Sequence, residues 1–373
     1  MKAIGIILAG GNNKRMKELT ARRAIAAMPM CGTYRAIDFA LTNMANSNVQ
    51  RVAVLTQYNT KSLDEHLSSS KWWDFGRKQG GLFVYHPTIT PENANWYRGT
   101  LDAMYQNMHF LKESHEPYVI IASGDGVYKL DYNVVLDYHI QNRADITMVT
   151  TTLQDWEDSS RFGQVITDED GRVRGFEEKP MEEATREVNC VIYIIRRRLL
   201  MELLEASNQE DRYDFIRDVI IRFKDVRRIY SYHLDSYWSN ISSAKSYFKT
   251  NMDFLNRDIR NFFFKADDAL MTKMNDFPPA KYNPGCHVRN SLVSSGSIIN
   301  GTVENSVVFK KSFIGSNCVI KNSIILNDVY IGDNTYIENC IVESHNTIYA
   351  NSSYVGDPED VSIIVEKNSR YII

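Results

Sequence analysis

Three short stretches carry side chains suited to handling phosphate. The run Leu8-Ala9-Gly10-Gly11-Asn12-Asn13-Lys14-Arg15-Met16 leaves an apolar segment and joins two glycines to two cations. A loop of this composition lets backbone N–H groups approach a phosphate closely, with cationic side chains beside it. Ser123-Gly124-Asp125 sets a carboxylate in a small polar turn after another apolar run. Gly175-Phe176-Glu177-Glu178-Lys179-Pro180 ends on an adjacent acid and base, which taken alone reads as a solvated ion pair. Just past the glycine loop, Arg23-Ala24-Ile25-Ala26 puts an isoleucine where a nucleotide-handling site would gain from a lysine.

These residues need a scaffold, and the first 256 positions supply one. Ala3–Leu8, Arg51–Thr56, Tyr118–Ala122 and Thr147–Thr151 read as buried strands. Between them lie amphipathic helical patterns such as Leu101 to Glu113, apolar at Leu101, Met104, Met108 and Leu111. Strand and helix in alternation predict a Rossmann-like α/β domain, its mostly parallel sheet covered by helices. Ligands of such sheets bind beyond the carboxyl ends of the strands, where Gly10-Gly11 and Ser123-Gly124-Asp125 both fall.

After Pro278-Pro279 the pattern changes. Ile314-Gly315, Ile320, Leu326, Ile331-Gly332 and Ile337 recur every five to six residues with polar or small residues between. Neither a helix nor a simple strand has that period. A triangular coil with one aliphatic per side does, which predicts a C-terminal left-handed parallel β-helix of hexapeptide type. Asn300-Gly301, Asn305-Ser306 and Asn322-Ser323 supply its tight corners. The expected organisation is the α/β domain over 1–256, a linker helix and loop over 257–283 carrying Phe262-Phe263-Phe264, and the β-helix over 284–373. An open coil end invites docking to another domain or subunit.

Bulk properties narrow the function classes. Lys+Arg 43 against Asp+Glu 46 gives a net charge of −3, so the chain offers no electrostatic surface for nucleic acid or membrane. Five cysteines form no C-x-x-C pair, which argues against a metal site or disulfide framework and for a reducing cytoplasm. The apolar stretch Ile4–Ala9 is too short for a signal or membrane segment. Hexapeptide β-helices often carry acyltransferase activity, but the coil's histidines, His287 and His345, read as surface residues rather than a catalytic base.

Six ordered motifs resemble one family. They are Tyr34 to Val49 (YRAIDFALTNMANSNV), Leu55 to Leu67 (LTQYNTKSLDEHL), Trp96 to Asn107 (WYRGTLDAMYQN), Ser123 to Tyr132 (SGDGVYKLDY), Gly175 to Pro180 (GFEEKP) and Ser236 to Leu255 (SYWSNISSAKSYFKTNMDFL). Together with the L-A-G-G opening and the hexapeptide tail they resemble glucose-1-phosphate adenylyltransferase, the bacterial ADP-glucose pyrophosphorylase. The resemblance implies attack of glucose 1-phosphate on the α-phosphate of ATP, with Mg2+ and cations neutralising the two polyanions.

The resemblance also implies roles for individual residues. Glu178 and Lys179 take glucose hydroxyls and phosphate, with Tyr97 and Gly163 lining the pocket and Asn189 beside them. Asn189 and Val191 stand where the family has serine and glycine, and the bulk at Val191 predicts weakened glucose binding. In the nucleotide loop Gly10, Gly11 and Arg15 match, whereas Asn13 replaces a glycine and Ile25 replaces the lysine. Of the two metal-binding aspartates Asp125 is present, and Asn240 replaces the other. Thr33 stands at a basic effector position, which predicts weakened control by sugar-bisphosphate activators. Losing three groups from one site predicts very weak or absent chemistry, since one electrostatic donor is worth about 10²–10³ in rate. The pattern resembles the GlgD-type subunit that modulates a catalytic GlgC-type partner in a mixed tetramer. A slow but genuine adenylyltransferase built on Arg15, Asp125 and Lys179 is the alternative.

Overall fold

The computed structural model describes residues 2–11, 14–76, 80–89, 96–154, 157–265 and 268–365. They gather into two compact units that do not follow chain order. One comprises Met1–Gly11, Phe39–Thr60 and Leu67–Trp238, and the other Asn12–Asp38, Lys61–His66 and Ser239–Ile373.

The first unit is built on a nine-stranded sheet. Its centre is parallel: Ala3–Leu8 lies between Arg51–Leu55 and Tyr118–Ser123, and Gly81–Tyr85 extends it at one edge. These strands are near-continuous apolar runs because both faces are covered; Ile4, Ile6 and Ile7 are each 2% exposed or less. Glu187–Arg196 joins antiparallel to Tyr118–Ser123 and to Ile146–Thr152, and Ile229–His233 runs parallel beside the latter. The hairpin of Gly163–Thr167 and Val173–Glu178 completes the far edge. Ile6 and Val119 pack in one cluster with Leu101, Met104, Leu200 and Leu204 from the covering helices.

The expected helix over Leu101–Glu113 is two helices, Thr100–Gln106 and Met108–Lys112. The break has a local cause. The Asn107 side-chain amide donates to the Ala103 carbonyl, taking the acceptor that its own backbone N–H would use in a continuous helix.

The second unit contains the β-helix, formed by three parallel five-stranded sheets in successive coils, the architecture of a left-handed hexapeptide β-helix. Coil partners lie fifteen or seventeen residues apart up to the last turn, as in Ile298 with Phe313 and Phe313 with Tyr330, and twenty-two apart there, as in Cys340 with Ser362. Its interior stacks Ile299, Ile314, Ile331 and Ile348 on one side and Val303, Ile320 and Ile337 on another, all fully buried. Corners fall on left-handed residues, mostly asparagine: Asn305, Asn322 and Asn339 form one column, and Asn317, Asn334 and Asn351 a second. Asparagine tolerates that backbone, and its amides ladder from coil to coil, with Asn317 donating to Asn334 and Asn334 to Asn351.

Helices Ala244–Asp253 and Arg257–Phe264 belong to the same unit. They hold the segment past the glycine loop. The Tyr247 hydroxyl donates to the Pro29 carbonyl, Asn251 accepts from the Cys31 N–H, and Tyr34 stacks on Phe264 at 5.0 Å. Among the described residues no helix is long and apolar enough to cross a membrane, and all five cysteines are free thiols.

Candidate active site

Strand register assembles the loop end of the first unit. Leu8 pairs with Leu55 on one side and Ser123 on the other, so Gly10-Gly11 and Gly124-Asp125 leave the sheet together. The Gly124 N–H donates to the Leu8 carbonyl, fixing the second turn against the first. Among the described residues, a Cβ added at Gly11 would meet no atom within 4 Å, so its backbone is open on that side. Asn13 lies outside the described residues. Asp125 is half-buried, and its Oδ1 accepts from the Ser123 hydroxyl at 2.5 Å.

Of the residues expected on the sugar side, Gly163 and Glu178 sit on the edge hairpin, Lys179 just past it and Asn189 on the strand next to it, while Tyr97 precedes the helix Thr100–Gln106. Gly163 pairs with Glu178 across the hairpin. A side chain at Gly163 would run into the Phe176 ring and come within 2.9 Å of the Glu178 carboxylate, so only glycine fits. Glu178 and Lys179 form a 3.2 Å ion pair with both side chains a third or more exposed. Such a pair contributes little to stability and keeps both groups accessible. Tyr97 packs with Phe176 and Tyr193 in the core cluster. Its N–H donates to Gln57 and its hydroxyl accepts from Asn107 at 2.9 Å, while burial pushes the phenol pKa up.

Asn189 and Val191 share a bulge. The register of Glu187–Arg196 against Ile146–Thr152 slips between Asn189 and Tyr193. Asn189, 2% exposed, bridges the slip: its Oδ1 accepts the Val191 N–H and its Nδ2 donates to the Tyr193 hydroxyl. Val191 is held at φ +57°, a left-handed backbone that a β-branched residue scarcely tolerates. Burial drives the Tyr193 phenol pKa well up, and the Glu178 carboxylate adds to the shift, which puts Glu178 within electrostatic reach of this bulge.

Arg15, Ile25 and Asn240 belong to the second unit. Arg15 is exposed on the segment Lys14–Thr20, which kinks at Lys17 (φ 51°, ψ −134°). Lys17 pairs with Asp360 at 3.1 Å. Arg23 is held by Glu343 at 2.5 Å with both side chains under 15% exposed, so this cation is committed to the β-helix. Ile25, in a single 3-10 turn with Ala26 and Ala27, is 5% exposed. Asn240 is half-buried at the end of the short strand Trp238–Asn240. Thr33 borders a cavity of about 290 Å³ whose cations come from elsewhere in the unit, namely Arg35, Lys273, Lys310 and Lys311. Lys310 donates to the Thr33 carbonyl, and burial holds its pKa below the usual lysine value.

The motifs quoted above held further contacts that residue type alone did not single out. Gln57 anchors the backbone at Tyr97, and Tyr58 stacks on the exposed Trp96 at 5.9 Å. Arg98 lies 3.8 Å over the Tyr213 ring and bonds buried Asp102. Nucleotidyltransferases generally use Mg2+. Of the two aspartates that the family resemblance expects to hold that ion, the one present is Asp125, itself engaged by Ser123, and no three ligand-type side chains converge among the described residues. These groups do not make a resident metal centre by themselves; any ion would depend on ligand phosphates.

A glycine loop and a carboxylate at the ends of paired parallel strands, followed by a hexapeptide coil, define a nucleotidyltransferase with an appended β-helix. Residues 4–257 match the family model described as nucleotidyl transferase, and 277–361 match that of the GlmU-like C-terminal hexapeptide. The chain belongs to the glucose-1-phosphate adenylyltransferase family. It is 36% identical to the enzyme of that name from Geobacillus stearothermophilus over 322 residues, 86% of this chain and 83% of the relative. The Thermotoga sp. (strain RQ2) enzyme is 37% identical over 85% of this chain and 76% of its own length, and that of Clostridium novyi 36% identical over 85% and 84%.

Proposed function

We propose that this chain is a GlgD-type regulatory subunit of ADP-glucose pyrophosphorylase. In this reading it acts in the cytoplasm in glycogen synthesis, assembled with a catalytic GlgC-type partner whose activity it modulates, as a mixed tetramer. The observation that carries the reading is Ile25, where the family pattern has a lysine. An aliphatic side chain 5% exposed in a tight turn offers neither charge nor hydrogen bond to a triphosphate. Asn240, neutral where the family has its second aspartate, supports it, and so does the commitment of Arg23 to Glu343. The sugar side keeps Tyr97, Gly163, Glu178 and Lys179, so glucose 1-phosphate or a related sugar phosphate binds weakly, with Lys179 as a point cation that needs no metal.

The second reading is a slow adenylyltransferase in its own right, favoured by the open backbone at Gly11 and the exposed Arg15. One assay series separates the two: this chain alone, a catalytic partner alone, and both together, with ATP, glucose 1-phosphate and Mg2+. The regulatory reading expects negligible ADP-glucose from the lone chain and a raised rate in the mixture. Turnover by the lone chain at about 1–1000 per second would refute it.

A further inference from the structure

Lys179 is the cation that the sugar side offers to a phosphate, and its own backbone conformation does little to hold it. It stands at φ +51°, a left-handed geometry that a residue with a Cβ keeps only where its surroundings impose it. Two ties impose it here, one on each side of the residue. The Lys179 N–H donates to the Phe162 carbonyl at 3.2 Å, just past the turn Ser159–Arg161. Beyond Pro180 the chain returns to the strand Glu187–Arg196, and the N–H groups of Ala184 and Thr185 are anchored on the way.

Both ties lead to one side chain. Gln164 is 1% exposed. Its Oε1 accepts from the Ala184 and Thr185 N–H groups at 2.8 and 3.1 Å, and its Nε2 donates to the Ser159 hydroxyl at 3.2 Å. That hydroxyl donates in turn to the Glu183 carboxylate at 2.5 Å. Arg186 donates to both Glu183 oxygens and to the carbonyls of Leu153 and Glu157, which ties the return segment to the chain ahead of the turn. The Gln164 backbone is fixed from both sides, opposite Glu177 in one strand and Val188 in the other. An apolar side chain of the same length would orphan two N–H groups and release both the turn and the return segment. Groups that must meet a ligand are aimed by buried hydrogen bonds from rigid elements behind them. We propose that Gln164 is a positioning residue for the sugar phosphate, touching no ligand itself and acting through the placement of Lys179. The inference rests on the reading that Lys179 grips that phosphate, and adds what aims it.

The test is calorimetry of the full-length chain with glucose 1-phosphate. It compares the unaltered protein, Gln164→Met, Ser159→Ala, Lys179→Ala, and the two doubles that add Lys179→Ala to each of the first pair, with thermal melts to check folding. Gln164→Met is expected to weaken binding about fivefold and Ser159→Ala about twofold, each less than the roughly tenfold loss on removing the ammonium itself. With Lys179→Ala already in place, neither is expected to cost anything further, because a residue that acts through another is coupled to it. A side chain that merely stabilises the fold would cost the same in both backgrounds. Equal losses with and without Lys179, or no loss with either single variant, overturn the inference and leave the sugar-side reading standing. Should Gln164→Met not fold, the Ser159→Ala pair decides by the same rule. No binding to the unaltered chain, or undiminished binding to Lys179→Ala, overturns the sugar-side reading and this inference with it.

Discussion

Replacing Val191 tests whether strain is stored at the sugar-side bulge. At φ +57° a side chain with a Cβ costs about 1–2 kcal/mol relative to glycine. Glycine in turn costs about 0.4–1 kcal/mol relative to alanine through the freedom of the unfolded chain. Val191→Gly and Val191→Ala both lose the two γ-methyl groups of a side chain that packs half-buried against the core cluster. They also keep the backbone N–H that donates to Asn189. Their difference therefore isolates the Cβ at a left-handed position. Subtracting the two terms leaves the glycine variant ahead by roughly 0.5–1 kcal/mol, or about 1–4 °C in melting temperature for a body of this size. At an ordinary strand position the order reverses. Thermal melts of the two variants decide it, and an alanine variant at least as stable as the glycine one would refute the strain. Calorimetry with glucose 1-phosphate should then show tighter binding to Val191→Gly than to the parent.

Lys179→Ala should weaken binding of glucose 1-phosphate about tenfold, since it removes a charged hydrogen-bond donor from the phosphate; equal calorimetric affinity and equal activation of the partner would mean that the retained pocket is idle. Burial lowers the His139 pKa to about 4, with Arg196 adding to the effect. The unfolded chain then binds the extra proton below about pH 6.5, and stability falls as the pH drops towards 4, by about 2 kcal/mol between pH 8 and pH 5. His139→Gln should flatten that part of a stability–pH curve, and an unaltered curve would exclude this histidine as its source. Arg23→Met leaves Glu343 buried without its cation and should cost about 3 kcal/mol, while adding Glu343→Leu recovers most of it; denaturation of the single and double variants measures the difference.

Much of the fold was legible because its signals are local. Ala3–Leu8 and Tyr118–Ser123 are covered on both faces and so read as unbroken apolar runs. The five-to-six-residue aliphatic period follows from a coil with three sides, and Asn305 and Asn322 mark corners because asparagine accepts the left-handed backbone. What stayed hidden depends on distant partners or on backbone geometry. Arg23 and Glu343 are 320 residues apart, so nothing near Arg23 announces that its charge is taken. Val191 was visible as extra bulk, but its positive φ follows from a bulge that Asn189 and Tyr193 close around it. The grouping of Asn12–Asp38 and Lys61–His66 with the C-terminal part of the chain follows from contacts such as Tyr247 with Pro29, which no periodicity encodes.

The coil geometry also constrains how this chain can change length over evolutionary time. A one-residue insertion in a side would turn every later interior aliphatic outward, so the sides accept only whole coils. Corners are freer. Glu338 partners Val355 seventeen positions on, whereas Cys340 partners Ser362 twenty-two positions on, so the last turn absorbs five extra residues with the sides still in register. That enlarged corner carries Glu359 and Asp360, the partners of Lys245 and Lys17. Residues can be added or removed there one at a time while the stack stays whole, which leaves the grip on the Lys17 segment heritable and tunable apart from the fold.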